Sequence, residues 1–211
     1  MKYKKFSFRH AEEIFTVDDD FTYLWKEVKD VLDSITDEDI IMEFNSEKRK
    51  AKSISEAINK LIDVRLVEKG WNPQSYIFAD SDYSDSKGTW RLDFAKDTIA
   101  IEVAFNHGGN VSWNLIKPVL SSELNHVEKA IQTQAGIVIT ATDAMKKAGG
   151  YDGAIGTYEK YVEYLKPLNN LLTTPMMIIG LEPPETFIIE HKSDGNKTIG
   201  TVKMINQSQE K

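Results

Sequence analysis

The chain has 211 residues, no cysteine, a formal net charge of −7 and 41% hydrophobic residues. That length suits one domain with a real core. The lack of cysteine rules out disulfides and thiolate chemistry and fits a reducing cytoplasm. With no apolar run of ~18 or more residues, no membrane-spanning helix is expected, and the acidic balance argues against passive, charge-driven binding to nucleic acid, though not against a local basic cleft. The first residues, Met1-Lys2-Tyr3-Lys4-Lys5-Phe6, are basic but lack the apolar centre of a signal peptide.

Residues 6–15 carry the spacing of a short helix with Ser7 as a cap. Asp18-Asp19-Asp20 reads either as an acidic cluster at a helix N-terminus, which needs no ion, or as a cation trap. Leu24, Val28, Val31, Leu32 and Ile35, widened by Trp25, form one stripe and predict a helix over residues 22–35. Residues 37–44 fit no single period. Glu47-Lys48-Arg49-Lys50-Ala51-Lys52 is the densest basic run; it is either a solvated loop or a phosphate grip built from Lys48, Arg49 and Lys50. Ser53-Ile54-Ser55-Glu56 resembles a capping box opening a helix through Ile58, Leu61, Ile62 and Leu66 to a C-cap at Gly70.

A strand is expected after Pro73, then a polar loop over residues 80–88. Residues 90–105 read as two short strands around a tight polar turn. Glu102 stands alone in an apolar strand, where a carboxylate is costly to bury without a partner. Asp93 lies nine positions upstream (102 − 93 = 9), so across a hairpin the two carboxylates would converge and hold a divalent cation. The competing reading is a strand with one solvent-facing Glu, or a Glu paired with a lysine.

Residues 106–112 form a glycine-containing loop too irregular for a phosphate-binding fingerprint. A long helix is predicted over residues 113–132 from Leu115, Ile116, Val119, Leu120, Leu124, Val127 and Ile131, with Pro118 near its start. Residues 136–141 and 175–181 are β-branched apolar runs that predict buried strands, separated by a flexible loop over 148–153 and an amphipathic helix over 157–172. Residues 187–190 and 198–205 predict a closing hairpin around Asp194-Gly195, followed by a frayed tail. This order predicts an α/β fold, a mixed central sheet flanked by helices on both faces. It forms one domain over residues 1–211: a mostly helical part (1–70), a core (71–181) and a terminal hairpin and tail (182–211).

The segment Asp93-Phe94-Ala95-Lys96-Asp97-Thr98-Ile99-Ala100-Ile101-Glu102-Val103-Ala104-Phe105 resembles the active-site hairpin of the BglII/BstYI group of Type II restriction endonucleases, within the PD-(D/E)xK superfamily and more distantly similar to BamHI. Flanks resemble the group in the same order: His10-Ala11-Glu12-Glu13-Ile14, Leu24-Trp25-Lys26-Glu27, Lys69-Gly70-Trp71, Ser122-Glu123-Leu124 with His126, residues 136–140, Thr157-Tyr158-Glu159 and Ile178-Ile179-Gly180-Leu181. The resemblance implies a restriction-endonuclease-like core and a cytoplasmic prokaryotic homodimer. Such an enzyme makes Mg²⁺-dependent double-strand cuts in a short, GATC-centred palindrome of duplex DNA and works beside a cognate DNA methyltransferase. It implies metal ligation by Asp93, Glu102 and the backbone carbonyl of Val103.

The third motif position is Lys in most of the superfamily, Gln in this group and Glu in BamHI; here it is Ala104. A methyl group cannot orient or deprotonate water. Three readings stay open: an inactivating substitution, a replacement from Asn106, His107, Lys96 or a second water on the metal, or a nuclease-derived protein that only binds DNA. Lys96, in the turn, reads as solvated. By resemblance, base contacts fall to the loops over 106–112 and 149–158, with Asn106, His107, Asn110, Ser112, Asp152, Thr157 and Tyr158 as candidates, and the helix over 113–132 builds the dimer interface.

Overall fold

The computed structural model describes residues 1–46, 51–80, 82–83, 89–123, 126–195 and 197–205. The basic candidates Lys48, Arg49 and Lys50, and Leu124 of the predicted helical stripe, lie outside the described residues.

The chain opens with strand β1 (Tyr3–Phe8) where the spacing predicts a helix. The apolar residues of 6–15 in fact belong to two elements. Arg9 and His10 take positive φ (52° and 60°), which ends the strand and turns the chain into α1 (Ala11–Val17). Ser7 still acts as a cap: its Oγ accepts the Glu12 N–H at 2.9 Å. Helix α2 (Asp19–Ser34) begins at Asp18, whose carboxylate accepts the Asp20 N–H at 3.0 Å, so the acidic cluster serves a helix start. The period-ambiguous stretch is helix α3 (Asp37–Ser46).

Helix α4 (Ser55–Glu68) starts without the predicted capping box, since its N-cap is Ile54 and no side chain caps it. It stops where Gly70 adopts φ +82°, as a C-terminal glycine does. Strands β2 (Asn72–Tyr76), β3 (Arg91–Lys96) and β4 (Ile99–Val103) follow, then a 3₁₀ turn (Gly108–Asn110) into α5 (Val111–Ser122).

Helix α5 is much shorter than the stripe predicts. Glu123 turns extended, and the chain beyond pairs with the segment after β2: Ala79 N–H donates to Glu128 O and Ala130 N–H to Ile77 O. Val127 and Ile131 therefore pack on the Ile77, Phe78 and Leu92 cluster from an irregular segment bridged to Phe78 at Lys129. Strand β5 (Ala135–Ala141), a short helix α6 (Asp143–Ala148) with Thr142 as N-cap, α7 (Tyr158–Leu165), β6 (Met176–Leu181) and the hairpin β7 (Phe187–Asp194) and β8 (Lys197–Met204) complete the chain. Helix α7 also stops short of its predicted end, just before Pro167.

The main sheet has six strands in the order β1-β6-β5-β4-β3-β2; β4, β5 and β6 are parallel and the other pairs antiparallel. Alternation divides its two faces. Ile99, Ile101, Val103, Ile137, Ile139, Met177 and Ile179 point into the core made with α1–α4. Ala104, Val138, Met176 and Ile178 point the other way, against Val111, Leu115 and Val119 of α5 and Tyr161 and Leu165 of α7. Both faces are thus covered, as the element order predicts, and β4 lies near the middle of the sheet. Every residue of β4 is buried, which is what makes a carboxylate on it informative.

Candidate active site

The β3–β4 hairpin sets the site. A two-residue turn at Asp97-Thr98, with Asp97 at φ +46°, joins Lys96 to Ile99 and fixes the register Phe94↔Ile101. One step further, Asp93 faces Glu102. The contact is direct: the Val103 N–H donates to Asp93 Oδ2 at 2.8 Å. Glu102 is 1% exposed. Its Oε2 forms an ion pair with Nζ of Lys117, which reaches down from α5 and also donates to the Arg91 carbonyl at 3.1 Å. Among the described residues its Oε1 is buried with no hydrogen-bond partner, while the Asp93 backbone N–H faces the same carboxylate.

The electrostatics follow from this placement. Burial, then repulsion by Asp93, raises the Glu102 carboxyl to about 8, against the opposing pull of Lys117. Burial also raises Asp93, opposed by Lys117, by the Val103 N–H and by a hydrogen bond from the Gln74 side chain. Two crowded carboxylates, one of them already paired with the Lys117 ammonium, form a set of oxygen donors. They suit a hard divalent cation such as Mg²⁺, which takes oxygen ligands and keeps several waters. Among the described residues no three His, Asp, Glu or Cys side chains gather as a metal cluster. The protein donors at hand are therefore these two carboxylates and nearby backbone carbonyls, including that of Val103. Asp93 and Val103 open onto a cleft of about 310 Å³ that is also lined by Glu56, Asn59, Lys60 and Asp63 of α4 and by Gln74.

Ala104 is buried beneath α5; its N–H donates to the Ile139 carbonyl at 2.8 Å and its carbonyl accepts from Thr140 Oγ1 at 2.9 Å. Its methyl offers no polar atom to the site. Beside it, Asn114 on α5 donates to Asn106 Oδ1 (3.1 Å) and to the Tyr161 hydroxyl (2.6 Å), and burial raises the Tyr161 phenol above its ordinary range.

The two loops nominated for base contacts form one unit. Gly108 N–H donates to Ala154 O at 2.7 Å, Gly156 N–H to Asn106 O at 3.0 Å, and His107 bridges Ile155. Asn106, His107, Asn110 and Asp152 are exposed, and Ser112 is half-buried in the first turn of α5. The His107 ring is engaged locally, its Nδ1 accepting the Gly109 N–H, and Asp152 pairs with Lys52 at 3.5 Å. Thr157 is buried at the start of α7, and Tyr158 is half-buried against Gly180 of β6. Lys96 is not solvated: its Nζ donates to both Glu27 oxygens (3.0 and 2.9 Å) and to the Lys69 carbonyl, away from the carboxylate pair.

Three residues of the site escape the sequence reading: Lys117, Asn114 and Gln74. For the first two a signal exists. Asn114, Lys117 and Ser121 fall at helical spacing and form a buried polar line along an otherwise apolar helix face. Gln74 carries no such signal. It faces Asp93 across β2–β3 at φ +50°, strained for a residue with a side chain.

A family model for the restriction endonucleases BglII/BglIII matches residues 3–181, from the first residue of β1 to the last of β6. The crystal structure of restriction endonuclease BglII complexed with a DNA 16-mer superposes with a TM-score of 0.66 at 20% identity, covering 97% of this chain and 100% of that one. No curated protein sequence matches. The solved structure shows the shared fold, and the family model takes in the whole six-stranded sheet with the carboxylate hairpin at its centre: the chain belongs to the BglII/BglIII restriction endonuclease family.

Proposed function

We propose that the protein is a Type II restriction endonuclease, a homodimer that makes Mg²⁺-dependent double-strand cuts in a short, GATC-centred palindromic site and is paired with a cognate DNA methyltransferase. The observation that carries this reading is half-buried Asp93 set beside buried Glu102, whose Oε1 has no hydrogen-bond partner among the described residues. Family membership supports the reaction class, and the DNA held by the BglII structure supports a duplex partner.

Asp93, Glu102 and the Val103 carbonyl would hold the cation. When bound, it polarises the scissile phosphate and makes water a better nucleophile near neutral pH. The chain's own groups do the rest. The Val103 N–H and Gln74 fix the Asp93 carboxylate, and the Lys117 ammonium holds Glu102 Oε2. Hydrolysis adds a water oxygen to phosphorus and breaks the bond to the 3′ oxygen, which leaves with the electron pair and takes up a proton.

Asn106, His107, Asn110, Ser112 and Asp152 are the proposed base and phosphate contacts, since they sit on the joined loops that follow the catalytic strand. Lys48, Arg49 and Lys50 are proposed phosphate contacts.

Ala104 favours a second reading, a DNA-binding protein of the same fold without catalysis. Plasmid digestion in Mg²⁺ separates the two, comparing this chain with Ala104→Gln, Ala104→Glu and Ala104→Lys. Fragments from the unaltered chain support the nuclease. Binding without cutting by all four supports the inactive protein.

A further inference from the structure

We propose that Lys117 takes the part of the group missing at position 104, donating a hydrogen bond to the attacking water beside Glu102. This rests on the nuclease reading above. Position 104 offers no donor: the Ala104 methyl packs with Val111 and Leu115 on the α5 face of the sheet. Lys117 enters from that same helix and places its Nζ on the Glu102 carboxylate, the neighbour of the orphaned Oε1.

Stability does not account for it. Lys117 is 8% exposed, and a buried lysine–carboxylate pair is commonly no more stabilising than an apolar pair of the same size. Among the described residues the pairing also leaves Oε1 without a hydrogen bond. Its geometry suits a donor instead. An ammonium has three N–H donors. Among the described residues, Glu102 Oε2 and the Arg91 carbonyl take two of them. The third can bind the oxygen of a water resting between the carboxylates and a phosphate.

In the reaction that water's oxygen forms the new bond to phosphorus, the P–O3′ bond breaks, and the water protons pass to the 3′ oxygen and to solvent. Lys117 neither gains nor loses a proton; it orients the water and offsets one of the two carboxylate charges facing the anionic phosphate.

The test uses the full chain with Lys117→Met and the exchange Ala104→Lys with Lys117→Met. Four properties are read: single-turnover cleavage of supercoiled plasmid in Mg²⁺, plasmid affinity in Ca²⁺, Mn²⁺ binding by calorimetry, and thermal melting. Lys117→Met should lose roughly 100- to 1000-fold in cleavage rate, the loss seen when one preorganised donor is removed. It should keep plasmid affinity and bind Mn²⁺ at least as tightly, because the competing ammonium is gone. The exchange should recover at least about tenfold of the lost rate.

Cleavage by Lys117→Met within threefold of the unaltered chain overturns the inference. So does loss of Mn²⁺ binding or of the melting transition together with cleavage, which would make Lys117 structural, and so does an exchange as inactive as the single variant. If the unaltered chain is as inert as Asp93→Ala, the nuclease reading itself fails, and the inference with it.

Discussion

Asp93 and Val103 are tied across the hairpin by a 2.8 Å hydrogen bond from the Val103 N–H to Asp93 Oδ2. That bond locks the carboxylate of one strand to the backbone of the next, beside Glu102. Each element of the site acts on this arrangement.

The first consequence is a pH-dependent stability. Burial and repulsion by Asp93 raise Glu102 from 4.5 to about 8, and burial raises Asp93 as well. The folded chain thus binds more protons than the unfolded chain between pH ~4.5 and ~8, so stability falls as pH rises through that window. Thermal melting of the metal-free protein should lose on the order of a few kcal/mol across it. Added Mn²⁺ should flatten the dependence, because the bound ion favours the charged carboxylates that burial penalises. A melting temperature that rises with pH in this window would contradict the carboxylate assignment.

Gln74 should exchange stability for activity. At φ +50° its side chain costs roughly 1–2 kcal/mol relative to glycine. Gln74→Gly should raise the melting temperature while lowering single-turnover cleavage, since Asp93 loses a hydrogen-bond donor. Equal or lower stability would mean that the backbone there is not strained.

Gly136 holds α5 close to the sheet. A Cβ at this position would lie 2.6 Å from Pro118 Cβ and 3.2 Å from Met176 Cγ. Gly136→Ala should cost about 1–3 kcal/mol by overpacking. It should also slow cleavage beyond what stability explains, by moving the helix that carries Asn114 and Lys117. Chemical denaturation and single-turnover rates on the same sample measure both.

The sequence made the hairpin readable because its information is local: period-two alternation and a polar two-residue turn fix which residues face each other. Asp93 and Glu102 came out of that register. Lys117 did not, because its partner lies 15 positions away (117 − 102 = 15), across a helix–sheet contact that no local period encodes. The helix predicted over 113–132 failed for a related reason: Val127 and Ile131 at helical spacing are equally content in an irregular segment bridged to Phe78 at Lys129. At the N-terminus, two positive-φ residues, Arg9 and His10, split what composition joined, and residue type gave no sign of them. Thr157 and Tyr158 read both as loop end and as helix start; they open α7, where Thr157 is buried and Tyr158 is half-buried against Gly180 of β6.

The measurement closest to the central claim is digestion of supercoiled plasmid by the unaltered chain and by Asp93→Ala, each with Mg²⁺ and with EDTA. The predicted result is a set of discrete fragments from the unaltered chain in Mg²⁺ alone, and none from Asp93→Ala under either condition. Fragments produced by Asp93→Ala, or produced equally in EDTA, would contradict the assignment of Asp93 and Glu102 as the metal site of a restriction endonuclease.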